Sequence, residues 1–236
     1  MISPKHRFFC PNPDSGILDE DESAHANRVL RLISGDYIEV IDGKGKRIIA
    51  RIAESSKNRV SFSTEKLEIS KSEKPEIHIA IAPTKNIDRF EFFLEKVTEI
   101  GISEITPVLC RNSERKEIKK EKLEKNLISS IKQSGNLFLP ILHGLTSVKR
   151  FIESYKNADC QKFIAHCAED TDKIQLANAL SPSKNVVILI GPEGDFSQDE
   201  ISIAKLNGFC PVALGNSRLR TETAGIAACL TVHLKI

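Results

Sequence analysis

The sequence predicts an α/β protein with a mostly parallel sheet, preceded by a small β-rich module. From Ile77 onward, short apolar strands alternate with amphipathic helices, as in βα units that place helices on both faces of a parallel sheet. Residues 1 to about 72 contain several short strands and a single helical segment, as expected of a compact β-barrel. The 236 residues are enough for two modest domains, which we place at residues 1–72 and 73–236.

A hairpin signal defines the centre of the N-terminal module. Residues 37–41 alternate in polarity, Asp42-Gly43-Lys44-Gly45 interrupts them, and residues 47–52 supply the second strand. Residues 66–74 are polar and predict the connection between the domains. The other predicted elements of this module are strands at residues 7–10 and 59–64 and a helix at residues 22–32.

The C-terminal domain shows clear helix boundaries. A helix begins near Asp88, carries apolar residues at helical spacing and ends at Gly101. Ser197 and Glu200 have capping-box spacing, which predicts a helix that runs to about Gly208. The last predicted helix, which includes residues 224–232, is apolar on nearly every side. This pattern predicts that it is buried in the core or in a subunit interface. Further strands are predicted at residues 77–82, 105–109, 162–166, 186–190 and 211–214, and further helices at residues 119–134 and 174–180.

Composition narrows the functional classes. The net charge is only +2, so an RNA-binding protein of this composition must concentrate its positive charge locally. The sequence contains no stretch long enough to span a membrane and no signal peptide, so we expect a cytoplasmic protein. The six cysteines are scattered singly, so we expect free thiols and no metal site, with Cys167 and Cys210 in the core.

Two predicted strands of the parallel sheet end in glycine-containing loops, Gly191-Pro192-Glu193-Gly194 and Gly215-Asn216. Ligands of open parallel sheets bind beyond the carboxyl ends of the strands. One such loop alone would be only a tight turn, but two of them, followed by Arg220-Thr221-Glu222-Thr223, favour a binding site. The sequence contains neither a P-loop nor a Gly-x-Gly-x-x-Gly fingerprint, which argues against phosphoryl transfer and a Rossmann dinucleotide site.

These motifs resemble those of the RsmE family, bacterial methyltransferases of the SPOUT superfamily that modify N3 of uridine 1498 in 16S rRNA. The resemblance extends over nearly the whole chain. Asn136 stands where the family commonly has Arg, and Asp195 stands where it usually has Gly. The matching segments are Ile190–Gly194, Leu214-Gly215, Leu219–Ala224, Arg7-Phe8-Phe9, His25, Arg28–Arg31, Gly35-Asp36, Asp42-Gly43, Lys85, Arg89, Glu91, Lys96, Glu99, Gly101, Pro107, Arg111–Ser113 and Gln133–Gly135.

The resemblance implies a SPOUT-type parallel sheet with a deep trefoil knot and an N-terminal PUA-like β-barrel that helps to bind RNA. It also implies S-adenosylmethionine as cofactor, the small ribosomal subunit as partner and a homodimer formed through the knotted domain. By the same resemblance, the cofactor-binding residues are His166, Ile190, Gly191, Pro192, Glu193, Gly194, Leu214, Gly215, Arg218, Leu219 and Thr223. The RNA-binding residues are Arg7, Arg28, Arg31, Lys85 and Arg89, although for each of them taken alone a solvated surface charge is the favoured interpretation.

Methylation at uracil N3 requires loss of a weakly acidic proton, which leaves negative charge on O2 and O4. A guanidinium directed at those atoms would stabilise the anion, and Arg220 is the candidate for this role. Glu222 is the candidate proton acceptor or the partner that orients Arg220, although a carboxylate in the first turn of a helix can also be purely structural.

Two other functions remain open at this point. The chain could be a SPOUT methyltransferase of another RNA, such as tRNA, or a non-catalytic RNA-binding factor of ribosome assembly. The complete Gly191–Gly194 and Arg220–Thr223 motifs argue against loss of catalysis. Cofactor binding would separate the last alternative from the other two.

Overall fold

The computed structural model describes residues 4–72, 75–168, 173–182 and 184–235. The chain divides into two compact units. Unit 1 takes the described residues up to 72 together with Ile128–Leu139, and unit 2 takes the remainder. The predicted domain boundary at 72/73 lies within one residue of the end of the first segment of unit 1. The inclusion of Ile128–Leu139, from the middle of the chain, in the N-terminal unit was not predicted.

Unit 1 is built on a sheet that, in the described part of the chain, has four strands in the order β1-β2-β3-β4. These are β1 (Arg7–Phe9), β2 (Tyr37–Ile41), β3 (Lys46–Ser56) and β4 (Arg59–Ile69). Strands β2, β3 and β4 pair antiparallel, which confirms the predicted hairpin, whereas β1 runs parallel to β2.

Strand β4 extends to Ile69, so the predicted linker at 66–74 begins within a strand, and that part of the prediction is wrong. The pairing of β3 with β4 shifts register after Ile49 and after Ile52, and such bulges break the alternation that a strand prediction relies on. The helix predicted at 22–32 begins two residues earlier and ends three residues earlier than expected. It consists of α1 (Glu20–Ala24) and a π-helical turn, His25–Val29.

Unit 2 contains a parallel sheet, as predicted. Its described strands follow the order β10-β12-β9-β11-β5-β6-β7, with β8 paired to β6. Every one of these recorded pairings is parallel. The strands are β5 (Ile77–Ile81), β6 (Glu104–Leu109), β7 (Ile141–Leu142), β8 (Thr146–Ser147), β9 (Gln161–Ala165), β10 (Ile174–Gln175), β11 (Val186–Ile190) and β12 (Cys210–Ala213).

The helix boundaries follow the capping residues. The Asn86 side chain accepts a hydrogen bond from the backbone of Asp88, and Gly101 ends the same helix at a φ of 105°. The predicted capping box of Ser197 and Glu200 is present. The helices are α2 (Ile87–Ile100), α3 (Lys120–Ser134), α4 (Val148–Ser154), α5 (Leu176–Ala179), α6 (Gln198–Leu206) and α7 (Thr221–Lys235). Of the helix predicted at 174–180, only Leu176–Ala179 (α5) is helical, because Ile174 and Gln175 form a strand that pairs with β12.

Helix α7 packs against α2 and β5 in unit 2. A Cβ added at Gly225 would lie 2.5 Å from the Phe93 ring, so glycine is required for this close approach. The predicted burial of α7 holds for Ala228 and Val232, whereas Leu230 and Leu234 are 43% and 74% exposed. Among the described residues, no helix is both long and apolar enough to cross a membrane.

The cysteines are free thiols, as predicted. The prediction that Cys167 and Cys210 lie in the core is wrong, because both are exposed. Cys167 is the second residue after β9, and Cys210 is the first residue of β12, so each lies near a strand end, where apolar strand residues give way to solvent.

Candidate functional site

A cavity of about 550 Å³ lies in unit 2 where strands β9, β11 and β12 end. These strands are neighbours in the order β12-β9-β11. Because they run parallel, their carboxyl ends and the loops that follow them meet at one edge of the sheet. The cavity therefore lies where the sequence predicted a ligand site.

Most of the predicted cofactor-binding residues line this cavity, although they come from three separate parts of the chain. His166 follows β9, the glycine-proline loop follows β11, and a third loop connects β12 to α7. The predicted residues that line the cavity are His166, Ile190, Gly191, Pro192, Glu193, Leu214, Gly215, Arg218 and Leu219, together with the catalytic candidate Arg220. Gly194, Glu222 and Thr223 lie outside the lining residues.

A buried hydrogen bond connects two of the cavity loops. The Thr221 hydroxyl donates to the Gly191 carbonyl oxygen at 3.0 Å, which joins the first residue of α7 to the loop after β11. A Cβ at Gly191 would lie 3.1 Å from the Phe196 ring, so a side chain there would push the loop outward. The glycine and the threonine together fix one wall of the cavity.

Asp195 holds two further loop segments together. One carboxylate oxygen of Asp195 accepts from the Cys167 amide at 2.8 Å, and the other accepts from the Phe196 amide at 2.8 Å. Asp195 adopts a φ of 63°, a left-handed conformation in which Asp is tolerated better than most residues. The loop thus accommodates Asp at this position, and its side chain bridges the segments after β9 and β11.

Asn112 and Lys85 brace the same loop from outside the cavity. The Asn112 side-chain amide donates to the carbonyl oxygens of Gly194 at 3.0 Å and Asp195 at 3.1 Å. The Lys85 backbone amide donates to the Glu193 carboxylate at 3.0 Å. The Lys85 ammonium forms an ion pair with Glu114 at 2.8 Å, which raises the pKa of Lys85 and keeps it cationic. Lys85, a predicted RNA-binding residue, therefore lies beside the cavity loop.

The two catalytic candidates occupy different environments. Arg220 is exposed and lines the cavity, immediately before the first residue of α7. Glu222 is buried, with one carboxylate oxygen 4.0 Å from the Arg89 guanidinium. Its second oxygen is buried and has no hydrogen-bond partner among the described residues. Among the described residues, Glu222 thus forms its ion pair with Arg89, a predicted RNA-binding residue.

The remaining predicted RNA-binding residues lie in unit 1. Arg7 forms an ion pair with Glu39 at 2.6 Å, and Glu39 also pairs with Arg47 at 3.0 Å, so much of the Arg7 charge is compensated. Arg28 donates to the Asn58 side chain at 3.0 Å on the surface, and Arg31 is exposed with a φ of 56°. A second cavity, of about 430 Å³, is lined by Lys5, His6, Arg7, His25 and Lys132 among others.

Several cavity residues were missed by the sequence analysis. Most of them are direct neighbours of the motifs that were recognised, and the ends of β9 and β12 carried the signal for them. Lys173 had no such signal, because it precedes β10 and reaches the cavity only through the fold. The lining residues outside every recognised loop are Ala165, Cys167, Lys173, Val212 and Ala213, whereas Asp195, Asn216, Ser217, Thr221 and Ala224 belong to the recognised loops but were not assigned to the cofactor.

The chemistry of the lining suits a nucleoside more than a phosphate. Gly191, Pro192, Leu214 and Gly215 present peptide groups and apolar surface, and a glycine-rich wall allows a flat ring to approach the backbone. The cations among the described lining residues are Lys173, Arg218 and Arg220, none of which belongs to the Gly191-Pro192 or Leu214-Gly215 segments.

Comparison with known proteins identifies the family of the chain. Residues 71–233 match the model of an RNA methyltransferase domain, and residues 18–65 match that of an RNA methyltransferase PUA domain. A ribosomal RNA small subunit methyltransferase E from Buchnera aphidicola (subspecies Acyrthosiphon pisum) is 31% identical over 216 residues, which cover 88% of this chain and 83% of the relative.

Solved structures with the same fold include a probable rRNA-methyltransferase from Porphyromonas gingivalis. It is 37% identical and superimposes with a TM-score of 0.88, covering 97% of each chain. A ribosomal RNA small subunit methyltransferase E from Neisseria gonorrhoeae, crystallised with S-adenosylmethionine, is 27% identical with a TM-score of 0.81, covering 95% of this chain and 94% of that one.

Proposed function

The chain belongs to the ribosomal RNA small subunit methyltransferase E family, and from that premise we propose that it methylates N3 of uridine 1498 in 16S rRNA. The observation that carries the proposal is the convergence of the loops after β9, β11 and β12 on one cavity. A relative with this fold is crystallised with S-adenosylmethionine, and the cavity in this chain has room and backbone groups for such a nucleoside.

In this proposal the cofactor is held by the predicted residues that line the cavity, His166, Gly191, Leu214, Gly215 and Leu219 among them. S-adenosylmethionine, when bound, supplies an electrophilic methyl group on a sulfonium centre. The peptide groups of the glycine loops recognise the adenine, and the apolar side chains exclude water from the ring. Gly194 lies outside the cavity lining, where its carbonyl oxygen accepts from Asn112, and Thr223 lies outside it in the first turn of α7.

Arg220 acts on the uracil. Its exposed guanidinium lies at the cavity, where it can bind O2 or O4 and favour the N3 anion. Glu222 is the proton acceptor for N3–H or positions its cationic neighbours, of which Arg89 is 4.0 Å away. Because N3 lies on the Watson–Crick edge, the base must be unpaired or extruded from a helix before it reaches Arg220.

The RNA is held by basic residues of both units. Arg28 and Arg31 are exposed in unit 1, and Arg7 lines a cavity beside Lys5 and His6. Arg89 and Lys85 contribute from unit 2. Contacts of this kind bind phosphates without reading sequence, so they set affinity and its salt dependence.

The finer architecture follows the family. We place a deep trefoil knot in unit 2, and the crossing of the chain from β11 past β9 to β12 agrees with it. We also place a homodimer interface in this domain, which would cover Leu230 and Leu234 of α7, exposed in the single chain. The proposed place of action is the cytoplasm, where ribosomes are assembled.

The test supplies the enzyme with tritium-labelled S-adenosylmethionine and small ribosomal subunits from cells that lack this methylation. Nuclease digestion and mass spectrometry then locate the label. A single N3-methyluridine near the 3′ end of 16S rRNA is the expected product. Labelling of tRNA instead would change the substrate, and cofactor binding with no labelled RNA would favour a non-catalytic factor.

A further inference from the structure

Two histidines and a glutamate meet at the edge of the unit 2 sheet opposite to the cavity. His78 is the second residue of β5, Glu104 is the first residue of β6, and His143 follows β7 directly. The pairing of β5 with β6 places His78 opposite Glu104, and that of β6 with β7 places Glu104 opposite Ile141. His78 and Glu104 lie at the amino ends of β5 and β6, and His143 lies just past the two-residue β7, whereas the methyltransferase cavity lies at the carboxyl ends of β9, β11 and β12.

The side chains converge on a small space. His143 Nε2 lies 2.6 Å from a Glu104 carboxylate oxygen, and His78 Nδ1 lies 3.7 Å from the same oxygen. The imidazole rings stack with centroids 5.4 Å apart. One potential ligand atom from each residue lies within 4.8 Å of the other two. In the described part of the chain, no other group of three His, Cys, Asp or Glu residues is as close.

We propose that His78, Glu104 and His143 form a binding site for a divalent transition metal ion of the zinc type. Zn²⁺ binds imidazole nitrogens and carboxylate oxygens at about 2.0–2.2 Å, so two of its tetrahedral ligands lie roughly 3.3 Å apart. The separations of 2.6 Å and 3.7 Å on either side of Glu104 bracket that value. Side-chain adjustments of under about 1 Å would bring the three atoms to ligand distance.

The groups around His78 orient its ring for this role. His78 Nε2 lies 2.8 Å from the Thr106 hydroxyl, and Phe151 packs edge-on against the ring. With its proton on Nε2 and donated to Thr106, the imidazole accepts at Nδ1 from the Tyr155 hydroxyl, 2.6 Å away, and a metal ion would take the place of that hydrogen bond at the Nδ1 lone pair. Metal-binding histidines commonly have the second ring nitrogen fixed by such a hydrogen bond.

The site is anchored on one side and open on the other. His78 is buried, whereas the His143 and Glu104 side chains are 42% and 26% exposed. An ion can therefore enter from solvent, bind three protein ligands and keep water or the Tyr155 hydroxyl as a fourth. Bound there, it would connect β5, β6 and the segment after β7, so its effect is on the stability of unit 2.

The test measures Zn²⁺ binding by calorimetry in the full chain, with exposed Cys167 and Cys210 changed to Ser so that their thiols do not compete. We expect one ion per chain, at least tenfold weaker binding in His143→Ala and Glu104→Gln, and unchanged binding in the control His233→Ala. Zn²⁺ should also raise the melting temperature of the parent protein and leave that of Glu104→Gln unchanged.

A second measurement covers the case in which a variant folds poorly. Co²⁺ added to the parent protein should give the intense visible absorption of a four-coordinate nitrogen–oxygen site, which Zn²⁺ then displaces. The proposal is overturned if Zn²⁺ does not bind, if binding is unaffected by His143→Ala, or if Co²⁺ gives only the weak spectrum of the hydrated ion.

Discussion

Arg220 is the residue on which the proposed chemistry depends most. It is exposed, it lines the cavity, and it directly precedes a helix that begins at Thr221, a residue bonded to the opposite loop. A side chain so placed can reach a base that enters the cavity from solvent. Its planar guanidinium can bind two acceptors at once, which an ammonium cannot do in the same geometry.

Replacing Arg220 with Ala should therefore lower kcat by about 10²–10³-fold while cofactor affinity changes little, because the lost interaction belongs to the transition state. Arg220→Lys should recover part of the rate. The comparison is single-turnover methylation at saturating cofactor, with Arg150→Ala, an exposed arginine of α4, as the control that should keep the parent rate. Full turnover in Arg220→Ala would remove the assigned role.

Asp195 provides a structural test at the same scale. Asp195→Ala loses the acceptors for the Cys167 and Phe196 amides and retains a φ of 63° that suits Ala poorly. The expected cost is about 1–3 kcal/mol for the hydrogen bonds and about 1 kcal/mol more for the backbone. Asp195→Gly should lose less, because glycine accepts that φ.

Thermal unfolding measures this difference, at roughly 2–4 °C per kcal/mol for a chain of this size. Asp159→Ala is the matched control, since Asp159 is fully at the surface in an ion pair with Lys184 at 3.5 Å and its removal should cost little. If Asp195→Ala has the same melting temperature as the parent protein, the carboxylate does not hold the two loops together.

At the scale of the elements, helix boundaries were predicted well because their signals are local. Ser197 and Glu200 carry the capping box within four residues, and Gly101 ends α2 by its own backbone preference. Elements whose existence depends on a distant partner were predicted poorly. Ile174 and Gln175 form a strand only because β12 lies beside them, and β4 continues past bulges that its own sequence does not mark.

The contact between α7 and α2 predicts the effect of one methyl group. In Gly225→Ala, the new Cβ would lie 2.5 Å from the Phe93 ring and 3.0 Å from Ile81, so the helices must separate. We expect a loss of about 1–3 kcal/mol in unfolding free energy, beyond what the better helix propensity of Ala returns.

Gly144→Ala is the control for this experiment, because a Cβ at Gly144 would meet nothing within 4 Å. Urea unfolding of the two variants and the parent gives the comparison. Equal midpoints for Gly225→Ala and Gly144→Ala would mean that α7 does not pack against α2 as closely as the structure has it.

At the scale of the whole molecule, sequence motifs identified the family and most of the cavity, since the glycine loops and the Arg-Thr-Glu-Thr segment are contiguous. Lys173 joins the cavity from a part of the chain without a motif. The grouping of Ile128–Leu139 with the N-terminal unit is likewise a property of the fold. His78, Glu104 and His143 lie dozens of residues apart in the sequence, so strand pairing alone unites them.

The reactivity of the cysteine thiols can report on the cavity, because some cysteines are buried and others are exposed. Cys110 and Cys229 are buried, and burial raises the pKa of both thiols, that of Cys229 to about 12, so few thiolates are present at pH 8. Both should stay unlabelled until the protein unfolds. Cys167 and Cys210 are exposed, and Cys167 alone of these two lines the cavity.

The most direct test of the account is therefore the rate of thiol labelling at Cys167 and Cys210, followed by mass spectrometry with and without saturating S-adenosylmethionine. If the loops after β9, β11 and β12 hold the cofactor, labelling of Cys167 slows at least several-fold and labelling of Cys210 keeps its rate. If calorimetry shows that the cofactor is bound and yet Cys167 reacts as fast as before, the cofactor lies elsewhere and the account of this site is wrong.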